Sequence, residues 1–146
     1  MKIALASDHA GFQAKEQIKK YLEDKGHTVL DLGTYSEASC DYPDFGFSAG
    51  RSVSCGECER GVVICGTGIG ISIAANKVKG IRCALCADEN CAELCRKHND
   101  ANMIAMGART TAVDKMEKML DVFLNTPFEG GRHAGRVAKI SEIENK

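Results

Sequence analysis

Val62, Val63, Ile64 and Cys65 form an unbroken apolar run that stops against Gly66-Thr67-Gly68-Ile69-Gly70. A strand with no polar side must be covered on both faces, the situation of a central strand in a parallel sheet. Parallel neighbours need long crossovers, usually helices, so the rest of the chain should alternate. Lys2 to Ser7 predicts a first strand, and after Gly11 the residues Ala14, Ile18, Tyr21 and Leu22 recur at helical spacing until Gly26. Thr28 to Leu32 predicts a second strand ended by Gly33, and the polar stretch Thr34 to Asp44 leads into a helix near Phe45 to Ser54. The glycine loop feeds a helix through Val78, and Ile81 to Cys86 reads as a fourth strand. Asp88 caps a helix reaching about Lys97, and Asn102 to Met106 supplies a fifth strand. Thr110 or Thr111 is the expected cap of a helix whose Val113, Met116, Leu120 and Phe123 share one face and which Thr126-Pro127 ends. A last helix starts near Arg132 with Val137 and Ile140 as its stripe. The pattern predicts one α/β domain over residues 1–146, a Rossmann-like three-layer α/β/α sandwich around a five-stranded parallel sheet.

The 146 residues suit a single core. A net charge of -1 gives no field to gather nucleic acid or an anionic membrane, so an anion must be held by a local cluster and the partner should be small. The apolar run after Met1 meets Asp8 and His9 too soon for a signal peptide, and no stretch is long enough to span a membrane. Eight cysteines without an export signal point to a reducing compartment, so a cytoplasmic location is expected.

In open parallel sheets ligands bind beyond the carboxyl ends of the strands. Asp8 and His9 follow the first strand, and Cys65 and the glycine loop follow the third. His98 and Asn99 precede the fifth strand, Arg109 follows it, and Arg132, His133 and Arg136 open the last helix. The spacing Gly66-x-Gly68-x-Gly70 fits neither a dinucleotide site nor a P-loop, but it offers bare amides at a helix N-terminus, a hole for an anion. Cys65 lies directly before those amides, where a thiolate is stabilised and can act as a base. The plainer alternative is a small core residue. Arg132 and Arg136 project from one helix face and can clamp a phosphate; otherwise they form a solvated basic face. His98, flanked by Asn99 and Asp100, either exchanges protons with a substrate or is a turn residue contacting backbone. Cys55-x-x-Cys58 and Cys83-x-x-Cys86 could in principle make a four-thiolate zinc site. However, alternate side chains of a buried strand diverge, so no metal ligand is assigned.

The segments Ser7-Asp8-His9-Ala10-Gly11, Asp41-Tyr42-Pro43, Ile64 through Lys77, His98-Asn99-Asp100 and Glu129-Gly130-Gly131-Arg132-His133 closely resemble, in order and spacing, the type B ribose 5-phosphate isomerases. The resemblance covers almost the whole chain. It implies a cofactor-free aldose-ketose isomerase of the pentose phosphate pathway, a homodimer, possibly a dimer of dimers, with active sites at the subunit interface. Residue by residue, it implies that Cys65 is the catalytic base, that Gly66, Thr67, Gly68, Ile69 and Gly70 form the anion hole, and that His98 assists ring opening. Asp8 and His9 would bind substrate, Asn99, Arg109, Arg132 and Arg136 would fill the remaining substrate and phosphate positions, and Tyr42 would wall the pocket. A branch of the family carries a glutamate at the position of Ile71 instead of the cysteine; this chain resembles the cysteine branch. The cysteines at 40, 55, 58, 83, 91 and 95 match no functional position of the family. Two alternatives accompany this expectation: the same reaction on allose or galactose 6-phosphate, and a non-catalytic zinc or thiol module.

Overall fold

Five strands and six helices alternate in the computed structural model, which describes residues 1–146. They are β1 (Lys2–Ser7), α1 (Phe12–Asp24), β2 (Thr28–Asp31), α2 (Tyr42–Ser54), β3 (Arg60–Cys65), α3 (Ile69–Asn76), β4 (Cys83–Leu85), α4 (Glu89–Asn99), β5 (Met103–Gly107), α5 (Val113–Asn125) and α6 (Arg132–Ile143). All pairings are parallel, in the order β2-β1-β3-β5-β4, so β3 is central as its apolar run demands. Alternate residues face opposite layers. Ile3, Leu5, Val62, Ile64, Ile104 and Met106 meet α1, α4 and α5, while Ala4, Ala6, Val63, Cys65 and Ala105 meet α2 and α3. The three-layer sandwich and the five-stranded sheet are as expected.

Four boundaries differ from the sequence expectation. Helix α2 begins at Tyr42 rather than Phe45, because Pro43 occupies its first turn, where a missing N–H costs nothing. Helix α3 stops at Asn76, short of Val78. Strand β4 is only Cys83–Leu85: it is an edge strand whose one pairing partner is β5. Neither Thr110 nor Thr111 caps α5; Ala112 stands at its N-cap without a side-chain bond, and the Thr110 hydroxyl instead donates to the carbonyl of Gly107 at 3.2 Å. Asp88 does cap α4, accepting from the amide of Cys91 at 2.7 Å.

Asn76 completes the outer side of β4. Its Nδ2 donates to the carbonyl of Cys83 at 2.9 Å and its Oδ1 accepts the Cys83 amide at 2.8 Å, so one carboxamide pairs both backbone groups of Cys83, which point away from β5.

A buried ion pair also went unforeseen. Lys15 of α1 has no exposed surface; its Nζ donates to Asp31 at the end of β2 at 2.7 and 2.8 Å and to Glu16 at 2.8 Å. Burial alone would push the Asp31 carboxyl up, but the hydrogen bonds from Lys15 and the Gly33 amide, with the charges of Lys15 and Lys19, outweigh it and hold the group below its ordinary range.

Candidate active site

The chain leaves β1 for β2 on one side and returns to β3 on the other, so the sheet's switch in direction lies between β1 and β3. Their carboxyl ends open into a cleft of about 490 Å³ lined by Asp8, His9, Tyr42, Cys65, Gly66, Thr67, Ile69, Gly70, Ile73 and Arg109, with Ala10. Nine of the expected residues meet here, supplied by the loops after β1, β3 and β5 and by the first turns of α2 and α3.

Each is held by local structure. Asp8 is buried, and its Oδ1 accepts the amide of Gly11 at 3.1 Å. Gly11 has to be glycine, because a Cβ there would lie 2.6 Å from the carbonyl oxygen of Ile64. The carbonyls of Cys65 and Gly66 accept the amides of Ala108 and Arg109, both at 2.9 Å, so the β5 loop is fixed against the β3 loop and the Arg109 guanidinium lies over Gly66.

Cys65 is 4% exposed at the cleft floor, and its Sγ accepts the amide of Gly68 at 3.1 Å. An N–H aimed at sulfur from the first turn of a helix stabilises negative charge on it. Gly68 reaches this position with a φ of +79°, open to glycine, and a Cβ would meet the Leu85 side chain at 2.7 Å and the Met106 backbone at 2.8 Å. Gly68 therefore lies behind the sulfur and does not line the cleft. Thr67 Oγ1 accepts the amide of Ile69 at 3.2 Å, leaving its hydroxyl hydrogen free. The amides of Gly66, Thr67 and Gly70 make no bond within the protein, which leaves donors for an oxyanion.

His98, Asn99, Arg132 and Arg136 are not in this cleft. They gather at the C-terminal end of α4 and the start of α6, where the His98 and His133 rings stack at 4.4 Å and 15°. Arg132 and Arg136 are exposed and make no ion pair. Asn99 lies by a groove with Asn76, Arg82, Ile140 and Ile143. His98, Glu129 and His133 each bring a potential ligand atom within 4.8 Å of the others. Parallel stacked rings do not converge on one point, however, and two flanking guanidinium groups favour an anion over a cation. Burial first, then the charges of His98 and Arg132, hold the His133 imidazole below its ordinary value against the pull of Glu129, so it is neutral at pH 7.

Sequence reasoning missed the residues that build this second cluster. Asp100, in the left-handed region with φ 46°, ends α4, and Arg96 Nη1 donates to its Oδ1 at 2.8 Å and to the carbonyl of Ala101 at 2.6 Å. Arg82 donates to the carbonyls of Asn99 at 2.9 Å and Asp100 at 2.8 Å. Two arginines thus fix the turn that carries His98 and Asn99, although both look in sequence like ordinary surface charges.

The two C-x-x-C pairs do not converge: Cys58 and Cys83 pack in the layer of α2 and α3, Cys86 packs on the opposite face of the sheet, and Cys55 is exposed.

A model of the ribose/galactose isomerase family matches residues 3–140. Ribose-5-phosphate isomerase B of Escherichia coli is 43% identical over 145 residues, covering 99% of this chain and 97% of that protein. Galactose-6-phosphate isomerase subunit LacB of Clostridium acetobutylicum is 44% identical over 147 residues, covering 99% and 85%. The solved structure of Clostridium thermocellum ribose-5-phosphate isomerase B superposes with a TM-score of 0.98 at 51% identity, covering 99% and 98% of the two chains.

Proposed function

Since the chain belongs to the ribose/galactose isomerase family, we infer that it is an aldose-ketose isomerase converting D-ribose 5-phosphate to D-ribulose 5-phosphate, with Cys65 as the proton-transferring base. The observation that carries the residue assignment is the 3.1 Å bond from the Gly68 amide to the Cys65 sulfur at the floor of the cleft. The substrate is a ring, so protonated His98 first gives its proton to the ring oxygen while the O1 hydroxyl releases its own to solvent, which breaks the C1–ring-oxygen bond and exposes the C1 aldehyde. The Cys65 thiolate then takes the C2 proton, and charge spreads over the enediolate oxygens beside Thr67 and the free amides of Gly66 and Gly70. Such a donor contributes about 3 kcal/mol to the transition state. The O2 hydroxyl proton passes to O1, Cys65 delivers its proton to C1, and the ketose results. Asp8 and His9 hold the sugar. Arg109, Arg132 and Arg136 supply the phosphate contacts that keep C1 and C2 in register.

This mechanism needs both clusters at one substrate, and a second copy of the chain provides it. The His98, Asn99, Arg132 and Arg136 cluster of one subunit completes the cleft of the other in a homodimer. Two features support this. Ile69 and Ile73, on the cleft wall, are 51% and 56% exposed, and of all α6 only His133 is buried, so both surfaces await a partner. Eight free thiols fit the reducing cytoplasm, where we place the protein.

Cys65→Ala is expected to lower kcat at least ~100-fold while ribose 5-phosphate still binds; retention of more than about a tenth of the wild-type rate would remove Cys65 from the role. The relative LacB, named for galactose 6-phosphate, keeps a hexose phosphate as the second reading. Parallel assays with ribose 5-phosphate, allose 6-phosphate and galactose 6-phosphate decide it, the highest kcat/KM marking the substrate.

A further inference from the structure

His9 lies in the cleft, yet an imidazole can present either a donor or an acceptor to a sugar, and which it presents depends on what its other nitrogen does. Here the other nitrogen is engaged. The main-chain amide of Cys40 donates to His9 Nδ1 at 3.2 Å, and the Cys40 thiol sits 3.9 Å from the same atom. Cys40 belongs to the segment between β2 and α2, which crosses to α1 through the Gln13 to Glu37 bond at 2.9 Å and ties Tyr35 back to the carbonyl of Asp31 at 3.0 Å. His9 Nε2 has no partner in the protein.

We propose that the Cys40 amide is the positioning group of His9: it holds Nδ1 as an acceptor, so that Nε2 carries the hydrogen and offers the substrate a neutral donor. That donor suits a substrate oxygen bearing charge, a phosphate oxygen or an enediolate oxygen. The role belongs to the main chain at position 40, and the thiol is dispensable to it. A cysteine that matches no functional position of the family can therefore occupy a site loop: any side chain will do, provided the residue keeps its N–H. Proline alone among the natural residues removes it.

The inference rests on the assignment of His9 as a substrate contact, and the tests separate the two. In the wild-type protein, ¹⁵N-edited NMR of the histidine rings, with His9 assigned by its loss in His9→Asn, should show Nδ1 unprotonated and Nε2 protonated at neutral pH. A protonated Nδ1 at neutral pH overturns the proposal without any variant. In Cys40→Ala, which keeps the amide, the tautomer and kcat/KM should match wild type. Replacing residue 40 of that variant by the α-hydroxy analogue of alanine, an ester with no N–H, should mix the tautomers and raise KM about five- to tenfold with kcat changed less, the scale of one hydrogen bond. Cys40→Pro should do the same if it folds. An unchanged His9 spectrum and KM in the ester variant would refute the positioning role. Should His9→Ala leave KM untouched while the wild-type tautomer is as stated, the substrate assignment of His9 fails and the Cys40 contact survives.

Discussion

Cys65 is 4% exposed as a residue, which shields its thiol from bulky reagents; the proposed role as base asks only that the sulfur meet a carbon acid held in the cleft. The other thiols differ by environment. Burial, then the neighbouring Cys95, pushes the Cys83 thiol up to about 12, and a hydrogen bond with Cys95 together with burial pushes Cys86 up as well. The exposed Cys91 is raised by Asp88. At pH 8, iodoacetamide should therefore label Cys55 ahead of Cys91 and leave Cys83 and Cys86 unmodified until the protein unfolds, as read by peptide mass spectrometry. Asp31 gives a pH signature. Its carboxyl titrates lower in the folded chain than in the unfolded one, so its contribution to stability is complete above the unfolded value near 4 and declines as pH falls through the folded value. Asp31→Asn leaves the buried Lys15 ammonium with the half-exposed Glu16 as its only carboxylate and should cost about 3 kcal/mol at pH 7. In urea titrations the gap to wild type should narrow progressively as pH falls below about 4; a constant gap would show that the ion pair is not its source.

At the level of helices and strands, much of the layout was written in local pattern. The apolar runs of β1, β3 and β5 and the Asp88 cap could be read because each depends on neighbours in sequence. The caps of α5 could not: Thr110 and Thr111 have the right chemistry, but the Thr110 hydroxyl is taken by Gly107, a choice made by the tertiary path of the loop. Pro43 marks the start of α2 in sequence, since its ring fits the first turn of a helix. In the site, the meeting of Cys65 with its glycine loop at one cleft was legible because the strand end and the loop are contiguous in sequence. The clamp on the α4 turn by Arg82 and Arg96 was not, since it joins the residue just before β4 to α4 and the loop leading into β5. The glycine loop itself admits a direct test. Gly68→Ala combines a left-handed φ with a Cβ 2.8 Å from the Met106 backbone, so it should lose about 3 kcal/mol of stability and also turn the amide off the Cys65 sulfur. Activity should fall more steeply than the thermal midpoint accounts for, measured below the melting range on fully folded protein.

For the assembled molecule, the separation of the two clusters leads to a complementation experiment. Cys65→Ala homodimers and Arg132→Ala/Arg136→Ala homodimers should each be inactive. If every site takes its thiol from one subunit and its arginines from the other, co-refolding the two in equal amounts yields half hybrids, each with one intact site, and so about a quarter of wild-type activity. No recovery, with hybrids verified by native mass spectrometry, would mean that each chain works alone. Local pattern places both sets of residues at strand and helix ends, but an interface site was implied only by the family resemblance, because a single chain carries no mark of which surface would meet a twin.

A sheet that stops at a three-residue strand leaves a row of open donors and acceptors, the kind of margin on which proteins template one another into fibres. Asn76 closes part of that margin from within the same chain, its carboxamide imitating the next peptide group at Cys83. The cleft and the border of the sheet are thus tied to one short helix: the turn that starts α3 holds the sulfur, and the residue that ends it covers the open backbone of Cys83.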